Sequence, residues 1–394
     1  MNFIRSLLLG GVLGSLVGVL AGTASAVFLL SLDAITALRE DQGWLIYFLP
    51  VGGLLVGWLY HRFGQQSAAG NNLLIDEIHE PKSGIPPRMA PLILLTTLLT
   101  HLVGGSAGRE GTAVQMGGGL AGTLGRLLRL RDLRVLLMAG ISAGFGSVFG
   151  TPLAGLIFGL EVLHVGRMRT DALGPCLAGS LVGDWVCSAW GVKHTHYPIP
   201  EPLALSPLLI GQLILLAVAF GGIAWVFAEA THRLTALFRL IAWPPLRPVL
   251  GGVLLIGLIT LVGTRDYLGL SLPLLTSSLS GEVVRWAFLW KLVFSVLTLS
   301  SGFKGGEVTP LFVIGATLGH SLGVLIGLPP GYAATLGFVA VFGAAANTPL
   351  ACLMMGIELF GAAHAVPLAV VCIGAFLSSG TGGIYTAQRC EPIG

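Results

Sequence analysis

Charge is scarce in this chain. Only 10% of its 394 residues are Asp, Glu, Lys or Arg, and no polar block long enough for a soluble domain interrupts the apolar sequence. A soluble two-domain protein is thereby excluded. The formal net charge of +3 is too small to imply a nucleic-acid partner. Cysteine is also sparse: Cys176, Cys187, Cys352, Cys372 and Cys390 are scattered without CxxC spacing, so neither a disulfide framework nor a zinc site is expected. The nine histidines show no metal-ligand spacing, and "HTHY" (194–197) reads as a polar loop. There is no HExxH, which removes that signature of an intramembrane hydrolase. No enzyme activity, cofactor or metal is expected.

What is present is apolar and glycine-rich. Hydrophobic residues make up 54% of the chain, with 58 glycines and a mean hydropathy of +0.87. That composition belongs to an all-α polytopic membrane protein in the lipid bilayer. One transmembrane domain is expected over 1–394. Arg5, the apolar run after it and "ASA" (24–26) imitate a secretory signal. The run continues to about Leu32, long enough for an uncleaved first helix. The basic stretch "GRLLRLRDLR" (125–134) marks a cytoplasmic loop by the positive-inside tendency.

The chain repeats itself. An offset of 197 residues places Gly105 on Gly302, Gly108 on Gly305, Glu110 on Glu307, Thr112 on Thr309 and Gly118 on Gly315. The same register carries Phe145 onto Phe342 and "TPLAGLIFGLE" (151–161) onto "TPLACLMMGIE" (348–358). Internal duplication in a membrane protein points to a transporter or channel with its site where the repeats meet near the midplane. Two pseudo-repeats follow, about 1–200 and 201–394. Similarity between them does not choose parallel from inverted topology.

The repeat also locates a site. "GGSAGREGTAVQMGGG" (104–119) and "SGFKGGEVTPLFVIGATLG" (301–319) set Glu110 and Glu307 among glycines just ahead of apolar helices. Non-helical backbone at membrane depth must be buried in protein or line a cavity. Thr309-Pro310, Thr151-Pro152 and Thr348-Pro349 read as an N-cap followed by proline at the first helical position. Helices that start inside the membrane turn unpaired N–H groups and positive dipole ends on one region, an anion site made of backbone. A carboxylate costs at least about 2.5 kcal/mol at a membrane helix centre, so Glu110 and Glu307 need a reason. The bland reading is a buried cap or an ion pair with Arg109 or Lys304. Glu161 and Glu358, deep in their helices, read better as satisfying buried helix ends. Tyr385 on composition alone is an interfacial aromatic.

These residues resemble the CLC family of chloride channels and proton-coupled anion transporters. "GREGT" (108–112) is similar to the family's gating-glutamate motif, "GGEVTP" (305–310) stands where most members carry G-x-F-x-P, and "GGIYTA" (382–387) is similar to the segment with the pore tyrosine. The resemblance implies two inverted-topology repeats with broken helices meeting at a midplane anion site, a homodimer, and an anion pathway in each subunit. A regulatory domain after the membrane part is not expected, since nine residues follow Tyr385. Glu307, with Thr309 two residues on, is similar to the fluoride-exporting branch, the CLC-type fluoride/proton antiporters, in a bacterial inner membrane.

The pore residues follow from the same resemblance. "SGIP" (83–86) imitates the chloride-branch serine motif, but Ser83 lies only 27 residues before Glu110, whereas Asn71 lies 39 before it. The family spacing is roughly forty, which assigns the pore position to Asn71. Expected around the anion are Asn71, Gly108, Arg109, Gly111, Thr112, Gly306, Val308, Thr309 and Tyr385, with Glu110 and Glu307 gating and carrying protons. Chloride-exchanging relatives place a further glutamate after the Glu161 position, where this chain has Val162. A chloride/proton exchanger or channel of the same fold, and more distantly a cation/proton antiporter, are the competing readings.

Overall fold

The computed structural model describes residues 2–390 apart from 83 and 282. Among the described residues there are sixteen α-helices and no strands. The first eight are α1 (Asn2–Asp41), α2 (Leu49–Leu59), α3 (Asn71–His79), α4 (Met89–Leu102), α5 (Glu110–Leu127), α6 (Arg134–Phe149), α7 (Pro152–Glu161) and α8 (Leu173–Ala189). A stretch without helix, 190–206, leads to α9 (Pro207–Arg239), α10 (Leu246–Val262), α11 (Leu272–Ser280) and α12 (Ala287–Ser300). The last four are α13 (Val308–Ile326), α14 (Pro330–Ala345), α15 (Pro349–Phe360) and α16 (Ala365–Ser379).

Five helical segments are long and apolar enough to cross a membrane, among them Leu9–Asp41 and Pro207–Arg239. Most of the others are too short. The nine residues of α3 rise only about 14 Å at 1.5 Å per residue, under half a hydrocarbon core. Such helices end inside the protein, and their termini need partners there. The first helix outruns its expected end near Leu32 and continues to Asp41. Between Leu32 and Gly43 there is no glycine or proline to stop it, and Arg39 anchors its end by donating to the His101 carbonyl at 3.2 Å.

Glycine seams bring the short helices together. A Cβ on Gly117 of α5 would lie 2.2 Å from the Gly140 carbonyl oxygen of α6, and one on Gly315 of α13 would lie 2.0 Å from that of Gly337 of α14. Only hydrogen at these positions allows the backbones to touch, the small-residue packing typical of membrane helices. Gly140 and Gly337 are repeat equivalents, and so are Phe145 and Phe342, whose rings stack with centroids 6.2 Å apart.

The two halves cap each other. Glu161, at the end of α7, accepts from the Leu350 and Ala351 N–H groups of α15 at 3.0 and 2.8 Å. Glu358 of α15 accepts from Leu153 and Ala154 of α7 at 2.9 and 2.8 Å. Both glutamates thus satisfy buried helix ends, each in the opposite repeat. Thr151 and Thr348 hold the expected N-cap positions ahead of Pro152 and Pro349, but neither makes a side-chain cap bond. The glutamates replace that bond with a charged one. Reciprocal exchange of this kind relates the halves by an approximate two-fold.

Candidate functional site

The two glycine-rich entries meet back to back. Gly108 donates to the Gly306 carbonyl at 2.6 Å and Gly306 donates to the Gly108 carbonyl at 2.8 Å, a single antiparallel bridge between the halves. These two N–H groups are engaged with each other, so Gly108 and Gly306 fix the geometry of the site without offering it a donor. Neither tolerates a side chain: a Cβ on Gly306 would approach the Gly111 nitrogen to 2.7 Å.

The helices start earlier than the sequence suggested. Thr112 and Thr309 are not N-caps, because α5 begins at Glu110 with Arg109 as its N-cap and α13 begins at Val308 with Glu307 as its N-cap. Glu110 therefore sits inside the first turn, whereas its repeat partner stands just before one. The physical reason lies in the threonines. The Thr112 hydroxyl pairs with Thr97 of α4 at 2.9 Å, and the Thr309 hydroxyl reaches across to the other repeat, so neither folds back on its own helix.

Glu110 is completely buried. Its carboxylate crosses to the N-terminus of α13, where it accepts from the Thr309 N–H at 3.0 Å and from the Thr309 hydroxyl at 2.6 and 2.7 Å. The Arg109 backbone N–H (3.2 Å) and guanidinium Nε (3.4 Å) complete its shell. A negative group held by the first N–H groups and dipole of a helix occupies an anion site. The ion pair with Arg109 is present as well. Lys304 is placed differently: its ammonium lies 4.1 Å from the centre of the Tyr60 ring, an interaction of cation with aromatic face.

Behind Glu110 a cavity of about 180 Å³ is lined by Gly70, Asn71, Gln115, Lys304, Glu307 and Tyr385, among others. Asn71 and Tyr385 also border a much smaller apolar void with Val114, Phe158 and Val162, so they stand where the polar cavity narrows. Tyr385 is buried, which corrects the compositional reading of an interfacial aromatic. Asn71 opens α3 after Gly70, whose φ of +61° suits glycine. It is the third helix start directed at this region. Gly111 joins the parts: a Cβ there would lie 3.3 Å from both the Asn71 amide nitrogen and Glu307 Oε2. Among the described residues Glu307 Oε2 and Asn71 Oδ1 are buried without a hydrogen-bond partner.

Thus Asn71, Arg109, Gly111, Val308, Thr309 and Tyr385 converge with both glutamates, while the Thr112 side chain turns toward Thr97. Ser83 lies outside the described residues; its neighbour Gly84 donates to Glu77, beyond the middle of α3 from Asn71. Sequence reasoning missed Thr97 and Gln115. Gln115 is a lone amide in the apolar run after Glu110, a signal available but too short-ranged to read.

Comparisons with known proteins bear on the family and the fold. The family model described as "Voltage gated chloride channel" matches residues 52–380. A protein of Pseudomonas syringae pv. tomato named "Chloride/fluoride channel protein" is 53% identical, covering 96% of this chain and 85% of that one. The H(+)/Cl(-) exchange transporter ClcA of Vibrio cholerae is 25% identical over 88% of this chain and 81% of its own length. A solved structure titled as a CLC-type fluoride/proton antiporter superposes with a TM-score of 0.94 at 35% identity, covering 98% of both chains. A slow cyanobacterial Cl-/H+ antiporter, at 21% identity and a TM-score of 0.83 over 96% of each chain, shares the fold. The chain belongs to the voltage gated chloride channel, or CLC, family.

Proposed function

We propose that this protein is a fluoride/proton antiporter that expels fluoride from the cytoplasm at the expense of the proton gradient. The observation that carries the reading is the Glu110 carboxylate lying on the Thr309 N–H and hydroxyl, the place an anion would take. Fluoride is small and strongly hydrated, so its dehydration has to be offset by short bonds from true donors. The Thr309 hydroxyl and N–H, the Val308 and Gly111 N–H groups, the Asn71 amide and the Tyr385 phenol supply them. Ionised Glu110 holds the site; protonated, it loses its charge-assisted bonds and yields to fluoride. Glu307, with an unpartnered oxygen facing Gly111, takes the inner proton role that Val162 cannot perform. The likeness to the fluoride/proton antiporter supports fluoride over chloride.

The family resemblance further suggests a homodimer in the bacterial inner membrane, each subunit one membrane domain with repeats meeting near residue 200. Its orientation follows from charge. Arg88 bonds Gln65, Arg389 pairs with Glu80, and Arg134 and Arg169 lie in the neighbouring connections, which gathers the basic loops on one face. By the positive-inside tendency that face is cytoplasmic. α1 starts there, since Gly14 packs on Pro175 and Gly22 on Gly183 along α8. The test is efflux of fluoride and of chloride from liposomes containing the purified protein, with proton movement recorded in parallel. Fluoride loss far faster than chloride, with opposite proton flow, is expected. Equal rates refute the fluoride assignment, and fluoride flux without protons makes the protein a channel.

A further inference from the structure

One buried charge has no place in that cycle. Lys291 is the only charged residue of α12, "AFLWKLVFSVLTLS", and it is fully buried. Among the described residues no carboxylate pairs with it. Its ammonium donates instead to four oxygens: Ser106 Oγ at 3.0 Å, Ser271 Oγ at 2.9 Å, and the carbonyls of Gly269 and Tyr267 at 2.9 and 3.2 Å.

These partners belong to two segments that matter. Ser106 lies in the entry loop 104–109 that delivers Glu110 to the site. α12 holds the same residue twice more, with Ser295 Oγ 2.9 Å from Ser106 Oγ and Thr298 Oγ1 accepting from the Ser106 N–H at 3.1 Å. Leu268 and Ser271 line a cavity of about 260 Å³ with Arg39 and Arg265, and Gly269 donates back to the Gly105 carbonyl at 3.1 Å. A single ammonium therefore cross-links the entry loop to the wall of a cavity on the face opposite the basic loops.

Burying an ion without a counter-ion carries a penalty of several kcal/mol unless its donors are satisfied. Here four oxygens satisfy them, so the side chain is held by hydrogen bonds rather than by an ion pair. A loop of glycines would otherwise be soft. We infer that Lys291 is a positioning residue for transport. It holds the entry loop in place while Glu110 leaves and returns, so that each departure exchanges one proton for fluoride and the vacated site keeps its shape.

The inference rests on the antiport reading, and the test separates the two. Fluoride efflux and proton counterflow are measured in liposomes for Lys291→Met, Ser106→Ala and Ser271→Ala, normalised to folded protein. Both serine variants remove one bond from the ammonium, but only Ser106 is on the loop. Expected for Ser106→Ala is a fluoride KM raised about five- to tenfold, the worth of one hydrogen bond, with more fluoride moved per proton. Lys291→Met should act in the same direction and more strongly, while Ser271→Ala stays near wild type in both readouts. If the two serine variants behave alike, or if stability falls while KM and the fluoride-to-proton ratio per folded protein stay unchanged, the positioning role is wrong. If wild type moves no protons, the antiport reading fails, and the tether is judged on KM alone: Ser106→Ala must still exceed Ser271→Ala.

Discussion

Replacing Glu110 by glutamine removes the charge and keeps the shape, and the structure gives the size of the effect. The carboxylate accepts from the Thr309 N–H and hydroxyl, the Arg109 N–H and the Arg109 guanidinium. Three of these donors cannot reverse; only the hydroxyl can turn to accept. If the glutamine oxygen faces the two backbone N–H groups, its NH2 confronts the guanidinium, donor against donor. One charged bond is then lost, and the others fall from about 1.5–3 to about 0.5–1.5 kcal/mol each. Allowing for non-additivity, the side chain is held at least about 3 kcal/mol less well, roughly a hundredfold or more in occupancy. Fluoride no longer has to displace it. Titration calorimetry on purified Glu110→Gln should show fluoride binding tightened by up to that factor. Proton-driven fluoride uptake in liposomes should be abolished, because an amide carries no proton. Wild-type proton coupling in Glu110→Gln would refute the reasoning outright. Unchanged fluoride affinity would show that the carboxylate does not occupy the anion's place.

Other outcomes follow from the same geometry. Glu307→Gln should stop proton-driven fluoride uptake while the protein stays folded, since an amide fills the same space beside Gly111; normal coupling per folded protein would remove Glu307 from the cycle. Asn71→Ser or Asn71→Ala should alter fluoride turnover or selectivity against chloride, whereas Ser83→Ala should leave both near wild type, and the reverse ranking would move the pore to the SGIP loop. Glu161→Ala should orphan the Leu350 and Ala351 N–H groups and lower stability by about 3 kcal/mol or more, from two charge-assisted bonds. Fluoride transport per folded protein should hold, and thermal unfolding in detergent with no downward shift would exclude the cap role.

Much of this molecule was legible in its residues. Composition dictated a membrane protein because apolar side chains on all sides of a helix have no other solvent. The offset of 197 residues named both glutamates and the glycine-rich entries around them, since equivalent backbone turns need equivalent glycines. Glu161 and Glu358 were readable as caps because a charge ten residues into an apolar helix has few uses. Their partners were not readable, for each caps the other repeat, across 189 to 205 residues of chain. The same limit hid the pairing of Gly108 with Gly306 and the reach of Glu110 to Thr309: local pattern gives a helix start, but which anion meets it depends on how the halves are placed. It also turned Thr309 from a cap of its own helix into a partner of Glu110, and set its repeat equivalent Thr112 against Thr97. Lys291 drew no reading from the sequence, and only the folded chain surrounds it with four oxygens. Sequence determines what a residue needs, because charge, donors and backbone freedom are its own properties. Tertiary structure decides who supplies the need, because in a chain of short broken helices the suppliers come from the other half.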